Sequence, residues 1–253
     1  MSFMVDSFEE KVAKLNDLIA NSNRIVFFGG AGVSTESGIP DFRSKDGLYN
    51  QHDVQFDMFE PEYLLSRSCL YQNPKVFYEF YRQKLDCRGI EPNITHYKLA
   101  ELEKCGKLLS VVTQNIDGLH QKAGSKEVCE IHGTTEKNYC CACNEPYPAD
   151  YLFACEEEIP KCPKCGGRIR PAVTLYEESL PDADWYQANW HMDKADLIIV
   201  GGTSLSVYPA AGLILGRQCP IVLINRDETD MPRLKTAVRF TESLGEVFGK
   251  IKY

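Results

Sequence analysis

A glycine-rich turn directly after an apolar strand constrains this chain more than any other stretch. The segment runs from Phe27 to Arg43 and reads FFGGAGVSTESGIPDFR. Such a turn lets backbone N–H groups approach a diphosphate, and it is typical of parallel α/β sheets that bind dinucleotides. Gly30 and Gly32 fit the first two positions of the hydride-transfer fingerprint, but Thr35 stands where the third glycine is expected. An ordinary tight turn is the alternative interpretation.

Apolar runs elsewhere predict the other strands of such a sheet. Four runs are rich in β-branched residues and lack strict alternation, as in strands buried on both faces: 24–28, 108–113, 196–200 and 220–224. Helical patterns lie between or beside them at 7–21, 74–86, 95–105 and 209–217. Ser34 and Thr35 are expected to open a further helix after the glycine turn. This alternation predicts an α/β fold with a doubly wound, parallel, Rossmann-like sheet.

Two stretches interrupt the alternation. Residues 44–92 are rich in aromatic side chains and look helical, whereas residues 134–169 are rich in Cys, Pro and Glu with little apolar periodicity. We expect them to be insertions that together form a smaller domain. The sheet domain is then assembled from 1–43, 93–133 and 170–253.

Four of the eleven cysteines form two C-x-x-C pairs with eighteen residues between them: Cys140, Cys143, Cys162 and Cys165. This spacing predicts a structural zinc site, since four thiolates complete a tetrahedral shell and leave no position for water or substrate. Cys141 is a competing ligand, but it would leave only one residue before Cys143. The alternative is that these are buried or unpaired thiols, which fits the remaining cysteines better.

Charge and hydropathy exclude several kinds of partner. The formal net charge of −8 disfavours nucleic acid and anionic lipid, and the longest apolar runs are too short to span a bilayer. The chain begins without a signal-like apolar run, and Ser7 and Glu10 stand in capping-box spacing for an amphipathic helix. Paired metal-type cysteines favour a reducing compartment, so we expect a cytoplasmic protein.

Polar residues follow the carboxyl ends of the other predicted strands. They are QNIDGLH at 114–120, GTS within 201–209, and Asn225. These ends meet at one edge of a parallel sheet, which strengthens the prediction of a dinucleotide site. No acidic residue ends a second strand at the spacing that ribose binding in dehydrogenases requires, which counts against hydride transfer. His132, at the end of the predicted strand VCEIHG, is a candidate general base, although a lone histidine is more often structural.

Together these motifs resemble the sirtuin family over nearly the whole chain. GAGVSTESGIPDFR, TQNIDGLH, His132-Gly133, the cysteine pairs, GTSLSVYPA and Ile224-Asn225 occur in sirtuin order. The resemblance implies a compact, prokaryotic-type NAD-dependent protein-lysine deacetylase that consumes NAD as a co-substrate. It implies acetylated protein lysines as partners, bound as an added strand, and nicotinamide, O-acetyl-ADP-ribose and free lysine as products.

The resemblance also implies roles for individual residues. His132 would be the general base on a ribose hydroxyl, Asn115 would address the ribose and an ordered water, and Phe42 would shield the reactive ribose. Asp41 and Asp117 would hold the carboxamide. The cofactor-binding set is Ala31, Thr35, Asp41, Phe42, Arg43, Gln114, Asn115, Ile116, Asp117, Thr203, Ser204, Asn225 and Thr241. The peptide would bind between two segments that contain Val173, Thr174, Tyr176, Leu205 and Val207.

The chain departs from the family pattern at several positions. Glu177 stands where many relatives have Gly, and Thr174 occupies a commonly apolar position. No Tyr in 77–85 has an Arg three residues later, and Thr35 replaces the Ala of desuccinylase-type relatives, so acetyl and neutral acyl groups are expected. Three alternatives are a protein mono-ADP-ribosyltransferase on the same fold, an NAD-sensing binding module and a dehydrogenase. The presence of His132 favours deacylation over transfer.

Overall fold

The chain folds into two β-sheets with helices packed around them. The structure is a computed structural model that describes residues 6–42, 44, 47–51, 53–227, 229, 231 and 234–253. The strands are β1 (Ile25–Gly29), β2 (Leu108–Thr113), β3 (Val128–Glu130), β4 (Gly133–Cys140), β5 (Pro146–Pro148), β6 (Ile169–Val173), β7 (Leu197–Gly201), β8 (Ile221–Ile224) and β9 (Val238–Phe240). The α-helices are α1 (Phe8–Ala20), α2 (Pro61–Leu64), α3 (Arg67–Gln72), α4 (Pro74–Lys84), α5 (Ile94–Lys104), α6 (Leu119–Ala123), α7 (Asp150–Phe153), α8 (Asp182–Lys194) and α9 (Leu244–Phe248).

Side-chain caps start two of the predicted helices. At α1 the predicted capping box is present: Ser7 Oγ accepts a bond from the backbone N–H of Glu10, whose carboxylate accepts one from Ser7 N–H. At α5 the cap is Asn93, whose Oδ1 accepts a bond of 3.0 Å from the N–H of Thr95. Each cap satisfies backbone donors that a helix start otherwise leaves unpaired, which is why the helices begin there.

The larger sheet has six parallel strands in the order β3-β2-β1-β7-β8-β9. The predicted doubly wound parallel sheet is thereby confirmed. The strand order turns back at β1, where Gly29 pairs with Thr113 on one side and with Gly201 on the other. Connections on the two sides of such a switch point lead away from each other and open a crevice at the carboxyl edge.

Apolar clusters cover both faces of this sheet. One includes Leu15 of α1, Leu99 of α5 and Phe248 of α9, and the other includes Met192 of α8 and Leu213. All five side chains are at most 1% exposed. Complete burial of a side chain of this size contributes about 1.5–3 kcal/mol. The sheet is therefore a rigid support for the loops at its edge.

The smaller sheet is antiparallel, in the order β5-β4-β6. It shares a third apolar cluster with helices α2 to α4, and this cluster includes Phe77, Tyr81, Cys140 and Leu152. Tyr78 joins the two parts directly, because its hydroxyl donates a bond of 2.6 Å to the carbonyl of Ile169. The two insertions thus contact each other; the domain boundaries given above stay a prediction.

Several local expectations are wrong. The glycine turn leads into two short 3₁₀ turns, Ala31–Val33 and Thr35–Ser37, instead of an α-helix, and Gly38 ends the second at φ +90°. The 209–217 pattern forms the 3₁₀ segment Ala210–Ile214. Strand β3 ends two residues before His132, so His132 does not stand at the end of a strand as expected. The sequence patterns predicted neither β9 nor the antiparallel sheet. Among the described residues, no helix is both long enough and apolar enough to cross a membrane.

Candidate active site and metal centre

A cleft of about 1250 Å³ opens at the carboxyl edge of the parallel sheet. Its walls are segments that follow β1, β2, β6, β7 and β8. The predicted site residues that line it are Ala31, Thr35, Asp41, Phe42, Gln114, Asn115, Ile116, His132, Val173, Thr174, Tyr176, Thr203, Ser204, Val207 and Asn225. Asp117, Leu205 and Thr241 are not part of this lining, and Arg43 lies outside the described residues.

The loops after β1 and β7 pack directly on each other. Gly32 N–H donates a bond of 2.9 Å to Gly202 O, and a Cβ added to Gly32 would lie 2.8 Å from the Cα of Gly202. Gly30 N–H donates to Gly201 O at 3.2 Å. These glycines thus permit close contact between two loops, and their N–H groups are engaged there. This differs from the sequence-based expectation that these N–H groups face a diphosphate.

His132 lies on the two-residue link between the parallel sheet and the antiparallel one. Its Nδ1 is 3.0 Å from the carbonyl oxygen of Gln114. Because a carbonyl oxygen only accepts, Nδ1 carries the proton and Nε2 keeps a free lone pair. Burial lowers the pKa of His132, although the bond to Gln114 opposes this effect. His132 is therefore neutral at neutral pH, the form that a general base requires.

The backbone beside His132 joins it to the wall of the cleft. Thr174 N–H donates a bond of 2.9 Å to His132 O. The next residue, Gly133, has φ +78°, and a Cβ there would collide with the carbonyl oxygen of Ala172. Only glycine fits at this position, so the pairing of β4 with β6 requires the glycine that follows His132.

A buried hydrogen-bonded group lies behind the cleft. Ser34 Oγ donates a bond of 2.6 Å to Asp117, and Asn115 Nδ2 donates one of 3.0 Å to Ser34. Leu119 N–H donates to the other carboxylate oxygen. Burial raises the pKa of Asp117, and the bonds from Ser34 and Leu119 oppose that rise. Asp117 thus fixes the Asn115 amide through Ser34, a role for Ser34 that no local sequence pattern indicates.

The far end of the cleft is formed by residues that sequence reasoning missed. Asn225 N–H donates to Phe240 O, which places Asn225 at the start of this wall. Beyond it the lining includes Glu242, Ser243 and Leu244 rather than Thr241. Ser243 caps α9, and its S-x-x-E spacing with Glu246 is a signal that could have predicted this helix start.

The four cysteines of the paired motifs come together in the antiparallel sheet. Their Sγ atoms all lie within 4.8 Å of one another, with Cys140 3.4 Å from Cys165 and Cys143 3.7 Å from Cys162. Four thiolates at zinc–sulfur distances of about 2.3 Å would be roughly 3.8 Å apart in a tetrahedron. The cluster therefore fits a structural zinc ion. Cys141 is outside it and is exposed.

A protein-family model for the Sir2 family matches residues 30–209. An NAD-dependent protein deacetylase of Clostridium perfringens is 49% identical over 246 residues, which cover 96% of this chain and 99% of that protein. This chain belongs to the Sir2 family. A Sir2 structure with a p53 peptide and NAD⁺ is 34% identical at a TM-score of 0.82, covering 94% of this chain and 95% of the other. A Sir2 complex with deacetylated p53 peptide and 3′-O-acetyl-ADP-ribose is 33% identical at a TM-score of 0.86, covering 94% and 96%.

Glu177, which stands where many relatives have Gly, is stabilised in this Sir2-family chain by contacts with the helical insertion. It adopts φ +73°, a left-handed conformation that favours glycine. Its carboxylate accepts bonds of 2.9 and 2.7 Å from the N–H and hydroxyl of Ser68, in the first turn of α3. Tyr176 beside it exchanges backbone bonds with Leu65 and Arg67. The segment after β6 is thus fastened to the helical insertion.

Arg82, the arginine within the 77–85 segment, is engaged away from the cleft in this Sir2-family chain. Its Nε donates a bond of 2.9 Å to Leu152 O, and its Nη2 donates one of 2.8 Å to Glu157 O. It is not among the residues that line the cleft. The described part of the cleft therefore receives no contribution from this guanidinium.

Proposed function

We propose that this chain is an NAD-dependent protein-lysine deacetylase that releases nicotinamide, O-acetyl-ADP-ribose and free lysine. The observation that carries the proposal is His132. Its proton lies on Nδ1, it lines the cleft together with the predicted cofactor loops, and its carbonyl is bonded to the segment proposed to bind peptide. No other described histidine lines that cleft.

The described residues divide the work as follows. When bound, NAD supplies the ribose carbon from which nicotinamide departs. Nε2 of His132 accepts a proton from a ribose hydroxyl, and the bond from Nδ1–H to Gln114 holds the ring in the required tautomer. Asn115 is oriented by Ser34 and contacts the ribose and a water molecule. Phe42, which packs against Tyr49 at 5.4 Å between ring centroids, excludes bulk water.

The remaining cofactor contacts are proposals on the same basis. Thr203 Oγ1 accepts bonds from Gln114 and from Leu205 N–H, so its position is well defined for a phosphate contact. Ser204 and Asn225 line the same wall. We propose that Asp41 contacts the carboxamide directly and Asp117 acts through Ser34. Arg43 and Thr241 keep the cofactor roles that the resemblance implies.

The peptide site follows from the same cleft. We propose that an acetyl-lysine peptide lies between Val173–Tyr176 and Leu205–Val207 and pairs through its backbone, a mode that demands little of the flanking side chains. Thr174 and Tyr176 line the acyl side, which supports acetyl and other neutral groups. We also propose a cytoplasmic location, since none of the eleven cysteines forms a disulfide.

The test combines purified protein, NAD and an acetyl-lysine peptide, with nicotinamide and peptide mass measured over time. We expect one acetyl group lost and one nicotinamide released per turnover, dependent on NAD and slowed by roughly 10²–10⁴-fold in His132→Ala. NAD consumption with ADP-ribose attached to a protein acceptor would favour the transferase. Nucleotide binding without any consumption would favour a binding module, and either result would overturn the proposal.

A further inference from the structure

A tyrosine hydroxyl lies beside one of the cysteines of the metal cluster. Tyr147 is on β5, and its Oη is 3.0 Å from the Sγ of Cys162. We propose that Tyr147 donates a hydrogen bond to the zinc-bound thiolate of Cys162 and thereby slows loss of the metal. The inference rests on the assignment of zinc to the four cysteines, and it gives Tyr147 a role outside the reaction cleft.

The direction of the bond follows from the chemistry of the cluster. A cysteine that binds zinc does so as a thiolate, so its sulfur has lone pairs but no proton. The phenol is then the only possible donor in the pair. Cys162 is 1% exposed, so water has little access to its sulfur. Cys143 and Cys165, by contrast, are exposed and can receive bonds from solvent. Cys140 is also buried, and the backbone N–H of Ala142 lies 3.4 Å from its sulfur. Tyr147 therefore gives Cys162 a side-chain donor at a sulfur that solvent hardly reaches.

Neighbouring contacts hold Tyr147 in place. On one side β5 pairs with β4, with Tyr147 opposite Asn138, and β4 ends at the ligand Cys140. On the other, the ring packs on Tyr151 at 4.4 Å between centroids, and Tyr151 donates a bond of 2.8 Å to the carbonyl of Lys161. Lys161 directly precedes Cys162. The hydroxyl is thus positioned by elements attached to both cysteine pairs.

Donors of this kind affect how firmly a metal is held. A hydrogen bond to a thiolate withdraws charge from the sulfur, which makes its protonation and its attack by electrophiles slower. Removal of groups that contact metal ligands typically costs roughly 10–100-fold in metal affinity. Because Tyr147 meets a single thiolate, we expect an effect near the lower end of this range.

The chain offers a matched pair of variants. Tyr147→Phe removes only the hydroxyl on the sulfur, whereas Tyr151→Phe removes the neighbouring hydroxyl, which is bonded to a backbone carbonyl. Both would be prepared as the zinc-loaded full-length protein, and zinc transfer to excess chromogenic chelator would be followed at fixed pH. We expect about tenfold faster release from Tyr147→Phe than from wild type. Tyr151→Phe keeps the ring that packs on Tyr147 and loses only the bond to Lys161 O, so zinc release should stay close to the wild-type rate.

A spectroscopic measurement distinguishes a hydrogen bond from Tyr147 to the sulfur from a mere packing effect of the Tyr147 side chain. With cobalt in place of zinc, the sulfur-to-cobalt charge-transfer band should move to lower energy in Tyr147→Phe, because the thiolate becomes a better electron donor. It should not move in Tyr151→Phe. An unchanged band together with wild-type release from Tyr147→Phe would overturn the proposal, as would equal acceleration in both variants. Wild-type protein isolated without one zinc per chain would instead refute the zinc assignment itself.

Discussion

The parallel sheet and the antiparallel sheet of this chain are stabilised in different ways. Strands β1 and β7 are buried along their whole length, with apolar clusters on both faces. Strand β5 reads Pro146-Tyr147-Pro148 with both prolines exposed, and β4 ends at Cys140. Apolar packing alone thus accounts for the cofactor side of the cleft. In the antiparallel sheet, β4 buries the polar side chains of Thr134, Thr135 and Asn138 before it reaches Cys140, so a zinc ion on the four cysteines would add stability that apolar packing of this strand does not provide.

The difference matters because His132 joins the two regions. It follows β3 of the parallel sheet, and Gly133 after it begins β4 of the antiparallel sheet. His132, the proposed base, is therefore positioned from both sides, by Gln114 after β2 and by Thr174 after β6. Loss of structure in either region should affect the reaction, but only one region should respond to removal of metal.

The largest effect is expected from loss of zinc. Cys162→Ala should release the metal and unfold the antiparallel sheet, because binding of structural zinc contributes on the order of 10 kcal/mol to folding. Hydrogen exchange should show lost protection in β4, β5 and β6 and retained protection in β1 and β7. Cys155→Ala is the matched control, since Cys155 lies in the same insertion but outside the cluster. Unchanged hydrogen-exchange protection of β4, β5 and β6 in a metal-free Cys162→Ala protein would show that the antiparallel sheet does not depend on zinc.

His132→Ala should remove activity without affecting either sheet. Loss of a general base typically costs roughly 10²–10⁴-fold in rate. We expect kcat for the acetyl peptide to fall by this factor, with ADP-ribose affinity and thermal stability unchanged. The wild-type rate should fall to half its plateau only below pH 6.5, since the pKa of His132 lies below its usual value. Near-normal turnover by the variant would exclude this role.

Acid should weaken the parallel-sheet region through a buried histidine pair. His96 and His120 pack with ring centroids 4.7 Å apart, and burial lowers the pKa of His96 to about 4 and that of His120 well below 6.5. The unfolded chain therefore binds more protons between these values and 6.5. Stability is complete above pH 6.5 and falls as pH is lowered from there toward 4.

For His96 alone the full loss is about 3 kcal/mol, of which about 2 kcal/mol is expected between pH 7.5 and pH 5. Urea unfolding of the zinc-loaded protein at pH 7.5 and pH 5 would measure it. His96→Gln should reduce the pH dependence. Because metal loss in acid would also lower stability, zinc content would be determined in parallel. Equal pH dependence of wild type and variant at full zinc occupancy would show that the pair is not responsible.

Acyl selectivity tests whether the cleft has a cation for a charged acyl group. A buried carboxylate is costly without a cation and hydrogen-bond donors, and Arg82 is engaged with Leu152 and Glu157. We expect kcat/KM for an acetyl-lysine peptide to exceed that for the matched succinyl peptide by at least about tenfold, or roughly 1.4 kcal/mol. Equal or faster cleavage of the succinyl peptide at saturating NAD would mean that another cation reaches the acyl group.

The smallest effect concerns the contact between the segment after β6 and the helical insertion. Glu177→Ala loses the bonds to Ser68 but keeps the left-handed backbone, so we expect about 1 kcal/mol of destabilisation in urea unfolding. Glu177→Gly loses the same bonds but relieves a left-handed conformation that costs roughly 1–2 kcal/mol, so it should be nearly neutral. Equal destabilisation by both would show that backbone strain at Glu177 is negligible.

Sequence patterns alone predicted the elements whose signals are local. The strands β1, β2, β7 and β8 appear within one residue of the expected runs, because continuous apolar stretches between polar turns have few other ways to be buried. The four cysteines were predictable for a similar reason, since C-x-x-C pairs bring thiolates together within one turn. Most of the predicted site residues line one cleft because the carboxyl ends of parallel strands meet at one edge.

Tertiary structure decided whatever depends on partners distant in sequence. Ser34 reads as a helix start, but its hydroxyl bonds to Asp117, 83 positions away, and the chain continues as 3₁₀ turns. The sequence shows Glu177 only as a departure from the family pattern, whereas the structure shows its carboxylate bonded to Ser68. No sequence pattern singles out Tyr147, but the fold brings its hydroxyl to the sulfur of Cys162. Periodicity records how a segment buries its own apolar face, whereas these hydrogen bonds form only after separate segments have packed together.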